Sequence, residues 1–270
     1  MALKKDLPLL NHPLKEPTAF TPEALVAAVR AERGLPLEPV PPVCILEFDG
    51  DLTDWLVSTG AARPWSSWAC FHTTMFSVEV DGVPYGIIPR TIGGPYAVLV
   101  AEQLVASGAQ VVIGLTSAGR VSPSLPIPSF VIATQAVRDE GTSYHYLPAS
   151  ERIDAPPGII GFMEAEMRSL GPPVSRGLVW TTDAPYRETE QQLTEHANAG
   201  VLAVEMQAAS LFAFAIARQA TVGLVAHVTN AIDHAGEPFD KGSKADGQHL
   251  VEALCHAGAR FILTPKEVRR

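Results

Sequence analysis

The 270-residue sequence has few cysteines, no cluster of basic residues and no long apolar run. Its three cysteines, Cys44, Cys70 and Cys255, lie far apart and form no CxxC pair, which argues against a zinc knuckle or a disulfide framework. No stretch of about 18 uncharged apolar residues is present, so we expect no transmembrane helix. The first residues lack the apolar stretch of a signal peptide, and a cytoplasmic location is therefore expected.

The charge balance argues against another class of partner. Lysine and arginine together number 20, aspartate and glutamate number 29, and the formal net charge is −9. Nucleic-acid phosphates require stripes of basic side chains, so we predict that nucleic acid is not a partner. His227 and His234 lack the companion ligands of a zinc centre, and neither a metal nor a cofactor is predicted.

Residues 43–270 are predicted to form one α/β domain, preceded by an N-terminal arm at residues 1–42. The arm is rich in proline, and Thr21-Pro22-Glu23 predicts the start of one helix. This composition suits either an arm docked on a neighbouring subunit or a disordered leader. After the arm, apolar strands alternate with helices, which predicts a mostly parallel sheet with one antiparallel hairpin at Asp81-Gly82.

Four predicted strands end in polar residues. Open sheets of this kind bind ligands at the carboxyl ends of their strands, so the pattern predicts a small-molecule site. The alternative is that strand ends are polar simply because they leave the core. The four ends are Thr116-Ser117, Thr181-Thr182-Asp183, Glu205-Met206-Gln207 and Thr229-Asn230.

Two of these ends have a composition that suits a sugar. Glu205-Met206-Gln207 follows a short apolar strand and precedes a helix rich in alanine, leucine and phenylalanine. An acid, a thioether and an amide side by side suit a small polyol with an apolar face. Thr116, Ser117, Gly119 and Arg120 offer hydroxyls, a flexible backbone and a cation, which suit a phosphate or a sugar hydroxyl. A solvated turn has the same composition.

Other polar stretches provide candidate side chains for a planar base. Tyr186 and Arg187 are suited to stacking on a heterocycle and to hydrogen bonding with it. Asn230, in the polar segment 229–234 that includes Asp233 and His234, is suited to face the edge of a heterocycle.

Three further features allow two interpretations each. His145 is a candidate general acid or base, or a stacked histidine of a loop. Asp183 is a candidate catalytic group or a cap for the following segment. The segment Ile92-Gly93-Gly94-Pro95 fits close approach of the backbone to a ligand at a helix start, or an ordinary tight turn.

These motifs, in this order, resemble the nucleoside phosphorylase superfamily and, within it, the uridine phosphorylase branch. The resemblance covers about residues 45–234 and is carried by Ile92-Gly93-Gly94-Pro95 and by the stretches 138–148, 180–189 and 204–209. It implies a three-layer αβα fold around a mixed, partly barrel-like sheet. It also implies a homo-oligomer, from dimer to hexamer, and reversible phosphorolysis of a nucleoside to a free base and ribose 1-phosphate.

The resemblance implies roles for individual residues. A Glu-Met-Glu ribose motif of the family corresponds to Glu205, Met206 and Gln207, with glutamine in place of the second glutamate. The predicted substrate-binding residues are Thr116, Ser117, Gly119, Tyr186, Glu205 and Met206. The predicted catalytic residues are Gln207 at the sugar, Arg187 at the base and Asn230 at the leaving group.

The sequence departs from the family at the phosphate site. The Gly-Asp-Pro-x-Arg loop of the family appears here as Gly50-Asp51-Leu52-Thr53-Asp54, so an aspartate replaces the arginine. A second family arginine aligns with Gly114. A third, which the neighbouring subunit supplies, aligns near Phe71. The tentative phosphate site therefore consists of Gly50 and Asp54, with Arg90 and Arg120 as possible replacement cations.

Three hypotheses follow from these departures. Charge-assisted hydrogen bonds contribute about 1.5–3 kcal/mol each, so the loss of three arginines predicts much weaker binding of phosphate. If Arg90 or Arg120 reaches the anion site, phosphate is the co-substrate of a phosphorylase. If neither does, water is the nucleophile of a nucleosidase, and Asp54 is a candidate to orient it. A protein that binds a nucleoside without cleaving it is the third hypothesis.

Overall fold

The computed structural model describes residues 7–231, without the side chain of Ala231, and residues 243–269. The described helices are α1 (Pro22–Arg33), α2 (Asp51–Ser58), α3 (Gly94–Ala106), α4 (Ile159–Met167), α5 (Glu190–Asn198), α6 (Ala208–Arg218) and α7 (Lys244–Leu263). The described strands are β1 (Val43–Glu47), β2 (Ala62–Pro64), β3 (Phe76–Val80), β4 (Val83–Pro89), β5 (Val111–Arg120), β6 (Ser129–Asp139), β7 (Arg152–Asp154), β8 (Val174–Thr182), β9 (Val201–Glu205) and β10 (Thr221–Ala231). Short 3-10 turns connect several of them.

The strands form one mixed sheet that closes on itself over part of its width. Its order is β10-β6-β8-β9-β5-β1-β4-β3-β2, with β7 beside β6. An additional pairing of β10 with β5 closes five strands into a barrel-like ring. Half of the described pairings are antiparallel, so the prediction of a mostly parallel sheet was wrong. The mixed, partly barrel-like sheet implied by the family resemblance is confirmed.

Helices cover both faces of the sheet. The side chains of β1 show this, because alternate residues are buried on opposite faces. Cys44 and Leu46 point into a core shared with α3 and α6. Val43 and Ile45 point into a second core, shared with α2, α4 and α7. Because successive residues of a strand face opposite sides, this alternation produces three layers, and the predicted αβα architecture is confirmed.

The N-terminal segment packs against its own chain. Thr21 caps α1 by accepting a hydrogen bond from the backbone of Ala24, and Pro22 occupies the first turn, as the sequence predicts. Val26 and Val29 are buried against Ala69. Helix α1 therefore contacts the body of its own subunit, whereas docking on a neighbouring subunit stays a prediction.

Several element boundaries differ from those predicted. Strand β5 was expected to end at Leu115, but it continues to Arg120, because Gly119 and Arg120 pair with β9. Thr116, Ser117 and Gly119 thus lie on a strand and not on a loop. The Gly50–Asp54 segment contributes the start of α2, a helix that the sequence interpretation missed. The predicted start of the last helix at Gly242 lies outside the described residues.

No helix within residues 7–231 and 243–269 combines the length and the apolar character that a membrane span needs.

Candidate functional site

A cavity of about 560 Å³ opens where the ends of β1, β8 and β9 meet the second half of β5. Strand β10 contributes Asn230 to the same wall. The cavity collects eight of the residues that the sequence singled out. They are Thr116, Ser117, Gly119, Tyr186, Glu205, Met206, Gln207 and Asn230. The structure therefore brings together the residues predicted for sugar, base and leaving group, although their roles stay predictions.

The five other predicted site residues do not line this cavity. Arg187 is exposed in the 3-10 turn Pro185–Arg187, and Arg120 is the last residue of β5. Gly50 caps α2, and the exposed Arg90 and Asp54 form an ion pair beside it. Arg90 does reach the predicted phosphate loop. The Arg90 side chain lies so close to Gly50 that a Cβ built on Gly50 would overlap it. Its charge there is balanced by Asp54.

The sheet order arranges the cavity walls in sequence. Strands β8, β9, β5 and β1 are consecutive neighbours. Glu188 follows β8, Glu205 ends β9, Ser117 lies on β5 and Asp49 follows β1. The predicted sugar-binding triplet at the end of β9 consequently separates a Glu188 side of the cavity from an Asp49 side.

Glu205 holds the junction between β9 and α6. One carboxylate oxygen accepts the backbone N–H groups of Gln207 and Ala208 at 2.6 and 2.8 Å, and the other accepts the Thr181 hydroxyl. These bonds satisfy backbone donors at the start of α6 that have no partner inside the helix. Burial raises the pKa of Glu205 to about 7, and the three hydrogen bonds only partly offset that effect.

Gln207 directs its amide by hydrogen bonds to the main chain and to β5. Its Oε1 accepts the backbone N–H of Met206 at 3.2 Å and lies 3.4 Å from the Thr116 hydroxyl. The side chain is buried at the cavity wall. Since the oxygen faces donors of the chain, the amide NH₂ is the group left for a ligand.

Asp49 occupies both hydrogen-bond donors of Ser117. Its Oδ2 accepts the Ser117 backbone N–H at 3.0 Å, and its Oδ1 accepts the Ser117 hydroxyl at 2.9 Å. The adjacent Thr116 hydroxyl donates to the Ser117 carbonyl at 2.7 Å. The part of β5 that resembles a phosphate-binding segment thus presents oxygen acceptors, and its hydroxyl protons point at the protein.

Glu47 likewise occupies hydrogen-bond donors of the predicted phosphate loop. Its carboxylate accepts the backbone N–H of Gly50 at 2.7 Å and both the N–H and the hydroxyl of Thr53, at 3.2 and 2.9 Å. Burial raises the pKa of Glu47, although these hydrogen bonds act against the rise. Asp51 in the same segment forms an ion pair with Lys244 of α7.

The position aligned with a second family arginine has no room for one. A Cβ built on Gly114 would lie 3.0 Å from the ring of Phe48 and 3.2 Å from Leu224. Phe48 is fully buried and lines the cavity. The aromatic ring therefore takes the space beside Gly114 that a longer side chain there would need.

Glu188 is a cavity residue that the sequence interpretation missed. Its carboxylate is half-buried, and none of the described residues donates a hydrogen bond to it. Burial alone raises the pKa of Glu188 to about 7. Sequence analysis selects Tyr186 and Arg187 from the stretch 180–189, because aromatic and guanidinium groups suit a planar base. In the structure Tyr186 is 99% exposed at the lip of the cavity.

The charges of the cavity wall all have one sign. Asp49, Glu188 and Glu205 contribute carboxyl groups, of which Glu188 and Glu205, with pKa values raised to about 7, are only partly ionised at neutral pH. No lysine, arginine or histidine among the described residues lines the space. Such a wall favours a neutral ligand or a developing positive charge over an anion.

The remaining candidate residues lie elsewhere. His145 and Asp183 line a separate cavity of about 890 Å³, bounded by residues 12–25, α3 and α6. There His145 stacks on His12 with ring centroids 3.8 Å apart, as a stacked loop histidine would. Asp183 accepts the backbone N–H of Gly141 at 2.8 Å. Asp233 and His234, which follow Asn230 in the polar segment 229–234, lie outside the described residues.

One group of acidic residues has the spacing of metal ligands. Oxygen atoms of Glu47, Asp49 and Asp51 lie within 4.8 Å of one another, the only such group in the part of the chain that the structure describes. Each of these carboxylates already interacts with a donor or cation of the protein, namely Gly50, Ser117 and Lys244. The arrangement is explained by those contacts without a metal.

Comparison with known proteins decides the family. The family model of the phosphorylase superfamily matches residues 42–263. The chain belongs to the phosphorylase superfamily. A guanosine phosphorylase of Halorubrum lacusprofundi is 30% identical over 158 residues, which are 56% of this chain and 63% of that protein. The match thus spans less than two thirds of that relative.

Other members of the phosphorylase superfamily match over a longer span at lower identity. A uridine phosphorylase of Klebsiella aerogenes is 22% identical over 225 residues, 78% of this chain and 86% of that one. The solved structure of uridine phosphorylase from Vibrio fischeri ES114 is 20% identical and aligns with a TM-score of 0.64, covering 83% of this chain and 90% of that chain. The likeness to that structure establishes the fold.

Proposed function

We propose that this member of the superfamily cleaves the N-glycosidic bond of a nucleoside bound in the 560 Å³ cavity. The observation that carries the proposal is that residues predicted for the sugar, the base and the leaving group, except Arg187, line one cavity. Relatives named guanosine phosphorylase and uridine phosphorylase support the same class of reaction. In this reaction the bond from C1′ to the base nitrogen breaks, and its electron pair leaves with the base.

The negative wall suits the charge that this bond cleavage creates. As the base departs, positive charge builds on the sugar ring, and groups that stabilise it selectively in the transition state accelerate the step. Met206 would contact the apolar face of the sugar, and Gln207 would hydrogen-bond its hydroxyls. Because Gln207 is neutral, we expect weaker support of the charge than a glutamate would provide.

Base recognition is assigned to Glu188 and Asn230. An ionised carboxylate only accepts hydrogen bonds, so Glu188 favours a base with a ring N–H at its edge. Guanine and uracil, the bases of the nucleosides in the relatives' names, both carry such an N–H. Asn230 Nδ2 lies 3.0 Å from the Thr229 hydroxyl, and the Asn230 side chain lines the cavity, where its amide would face the departing base.

A phosphate-independent nucleosidase is the second candidate, and the charge of the wall favours it. An attacking phosphate would enter a space lined by Asp49, Glu188 and Glu205 without a facing cation among the described residues. Arg90, the arginine nearest to the predicted phosphate loop, is paired with Asp54. Arg120 does not line the cavity. Water carries no charge and meets none of this repulsion.

We also expect the enzyme to act in the cytoplasm as a homo-oligomer, an expectation that rests on the family and on the sequence.

The test is release of free base from purified protein, followed by chromatography. A panel of purine and pyrimidine nucleosides is incubated with and without phosphate. Release from at least one nucleoside supports the proposal, and its dependence on phosphate separates phosphorylase from nucleosidase. No release under either condition, together with a thermal shift on addition of nucleoside, would favour a protein that binds nucleosides without cleaving them.

A further inference from the structure

The acidic residues between Glu47 and Asp54 occupy the groups that would otherwise bind an anion. Glu47 accepts the N–H groups of Gly50 and Thr53, and Asp54 pairs with Arg90. Asp49 accepts both the N–H and the hydroxyl of Ser117. The N–H groups of Gly50, Thr53 and Ser117, the Ser117 hydroxyl and the Arg90 guanidinium are therefore already bound to carboxylates of the chain, and Lys244 beside them pairs with Asp51.

Asp49 is the member of this set that faces the cavity. It lies in the wall next to Ser117, whereas Glu47, Asp51 and Asp54 do not line that space. Its charge would lie beside any anion bound at Ser117. Because the Ser117 proton points at Asp49, the lone pairs of that hydroxyl are what a ligand meets.

We propose that Asp49 acts as an internal anion that excludes phosphate from the Ser117 side of the cavity and reserves that position for a water molecule. The inference rests on the proposed cleavage of nucleosides and names the nucleophile of that reaction. Water is a donor, and it can donate to the Ser117 and Asp49 oxygens. Phosphate ions at neutral pH need donors there, and Ser117 has none free. Asp49 is thus a positioning residue, since it sets the direction of the Ser117 hydroxyl.

The hydrolytic step balances without a co-reactant. The water oxygen forms a bond to C1′ as the bond from C1′ to the base nitrogen breaks. One water proton stays on the new C1′ hydroxyl, and the other ends on the base nitrogen through solvent. The products are the free sugar and the free base.

The first test measures the affinity for inorganic phosphate directly, by calorimetry and by phosphorus NMR. We expect the wild-type protein to bind phosphate with a Kd weaker than about 10 mM. In Asp49→Asn, the amide oxygen can still accept the Ser117 N–H, and the amide NH₂ faces the hydroxyl. The Ser117 proton is then free to turn into the cavity, and the negative charge is gone. Phosphate affinity should rise by at least about tenfold, the difference that one charge-assisted hydrogen bond makes.

Glu188→Gln is the matched control, because it removes one carboxylate from the same cavity without touching Ser117. It should raise phosphate affinity far less than Asp49→Asn. Equal gains in phosphate affinity in the two variants would mean that net charge alone explains the effect. That result would overturn the role of Ser117. Tight phosphate binding by the wild type, at micromolar Kd, would overturn the proposal even if Asp49→Asn failed to fold.

Product analysis in isotopically labelled water distinguishes this inference from the proposed function. Label on the C1′ oxygen of the released sugar is expected, with no dependence on phosphate. Strictly phosphate-dependent cleavage to the sugar phosphate would overturn the inference and leave cleavage of nucleosides intact. Absence of any base release would count against the proposed function, while the affinity measurements would still decide whether Asp49 excludes phosphate.

Discussion

Ser117 gives both of its hydrogen-bond donors to Asp49, its N–H at 3.0 Å and its hydroxyl at 2.9 Å. The two residues are 68 positions apart, and Asp49 follows β1, the strand beside β5 in the sheet. Because both donors are bound to Asp49, Ser117 offers only oxygen acceptors to a ligand in the cavity that both residues line. In the proposed reaction, this contact within the protein favours water over phosphate as the nucleophile.

Replacing Gln207 with glutamate should accelerate cleavage of ribonucleosides. The introduced carboxylate would keep an acceptor for the Met206 N–H and add a charge next to the sugar. Hydrogen bonds to charged groups exceed neutral ones by roughly 1 kcal/mol, so we expect kcat/KM to rise about fivefold. Steady-state kinetics of Gln207→Glu and wild type would measure this. Gln207→Met, of similar length and without an amide, should lose activity. An unchanged rate in Gln207→Glu would show that residue 207 does not contact the sugar.

Activity on bases with a ring N–H should depend on the ionisation of Glu188. Burial raises the pKa of Glu188 to about 7, so the accepting carboxylate is lost as the pH falls through that value. KM for uridine or guanosine should therefore rise at acidic pH. Glu188→Gln should remove this step and raise KM about tenfold at alkaline pH, where the wild type has the charged acceptor.

The comparison of the two pH profiles also controls for other groups. Glu205, whose pKa burial likewise raises to about 7, is present in both proteins, so it cannot account for a difference between them. A profile that is identical in wild type and Glu188→Gln would remove Glu188 from base recognition.

The free energy of unfolding should depend on pH because Glu205 is buried. Its pKa is raised from its usual value of 4.5 to about 7, so the folded state holds a proton that the unfolded chain releases. Between these two values the unfolded state binds fewer protons, and the contribution of Glu205 to stability falls as the pH rises. Relative to Glu205→Gln, the wild type should lose free energy of unfolding between pH 4.5 and 7 and change little above that.

Urea unfolding of both proteins over this pH interval would measure the difference. Glu205→Ala serves as the second comparison, because it leaves the N–H groups of Gln207 and Ala208 without an acceptor. We expect it to lower the free energy of unfolding by about 1–3 kcal/mol at every pH. A wild-type stability that rises across the interval relative to Glu205→Gln would contradict the assigned direction.

Gly114 should not tolerate a side chain while Phe48 is in place. A Cβ at position 114 would lie 3.0 Å from the Phe48 ring, closer than ordinary packing allows. Gly114→Ala should therefore destabilise the protein by about 1–3 kcal/mol, the usual range for overpacking. A double-mutant cycle with Phe48→Leu would measure the coupling. Additive effects would mean that Phe48 does not fill this space, and Leu224 would then be the neighbour that limits position 114.

The sequence predicted the fold class and most of the cavity lining, because strand ends and the family motifs are local features. Thr116 and Ser117 were found in this way, although they lie on β5 and not after it. Apolarity ends at Leu115, but the strand continues because β9 and β10 offer it partners, which no local pattern reveals. The Asp49–Ser117 pair was missed for the same reason.

Other differences have local causes that a closer reading of the sequence could have found. Helix α2 begins within the segment that resembles a phosphate loop, and its buried Leu52 and Leu56 have the i, i+4 spacing of a helix face. Glu188 could have been noted as a carboxylate within a dense polar stretch. That no described residue donates a hydrogen bond to its side chain, however, is visible only in the structure.

The most direct test of cleavage in this cavity is chromatography of uridine and guanosine incubated with the wild-type protein and with Ser117→Phe, whose ring would fill the space beside Asp49. We predict that the wild type releases uracil or guanine and that the folded Ser117→Phe variant releases neither. Equal release by both proteins would place the reaction elsewhere. No release by the wild type from these two nucleosides or from the purine and pyrimidine panel would contradict the assignment of an N-glycosidic bond as the target.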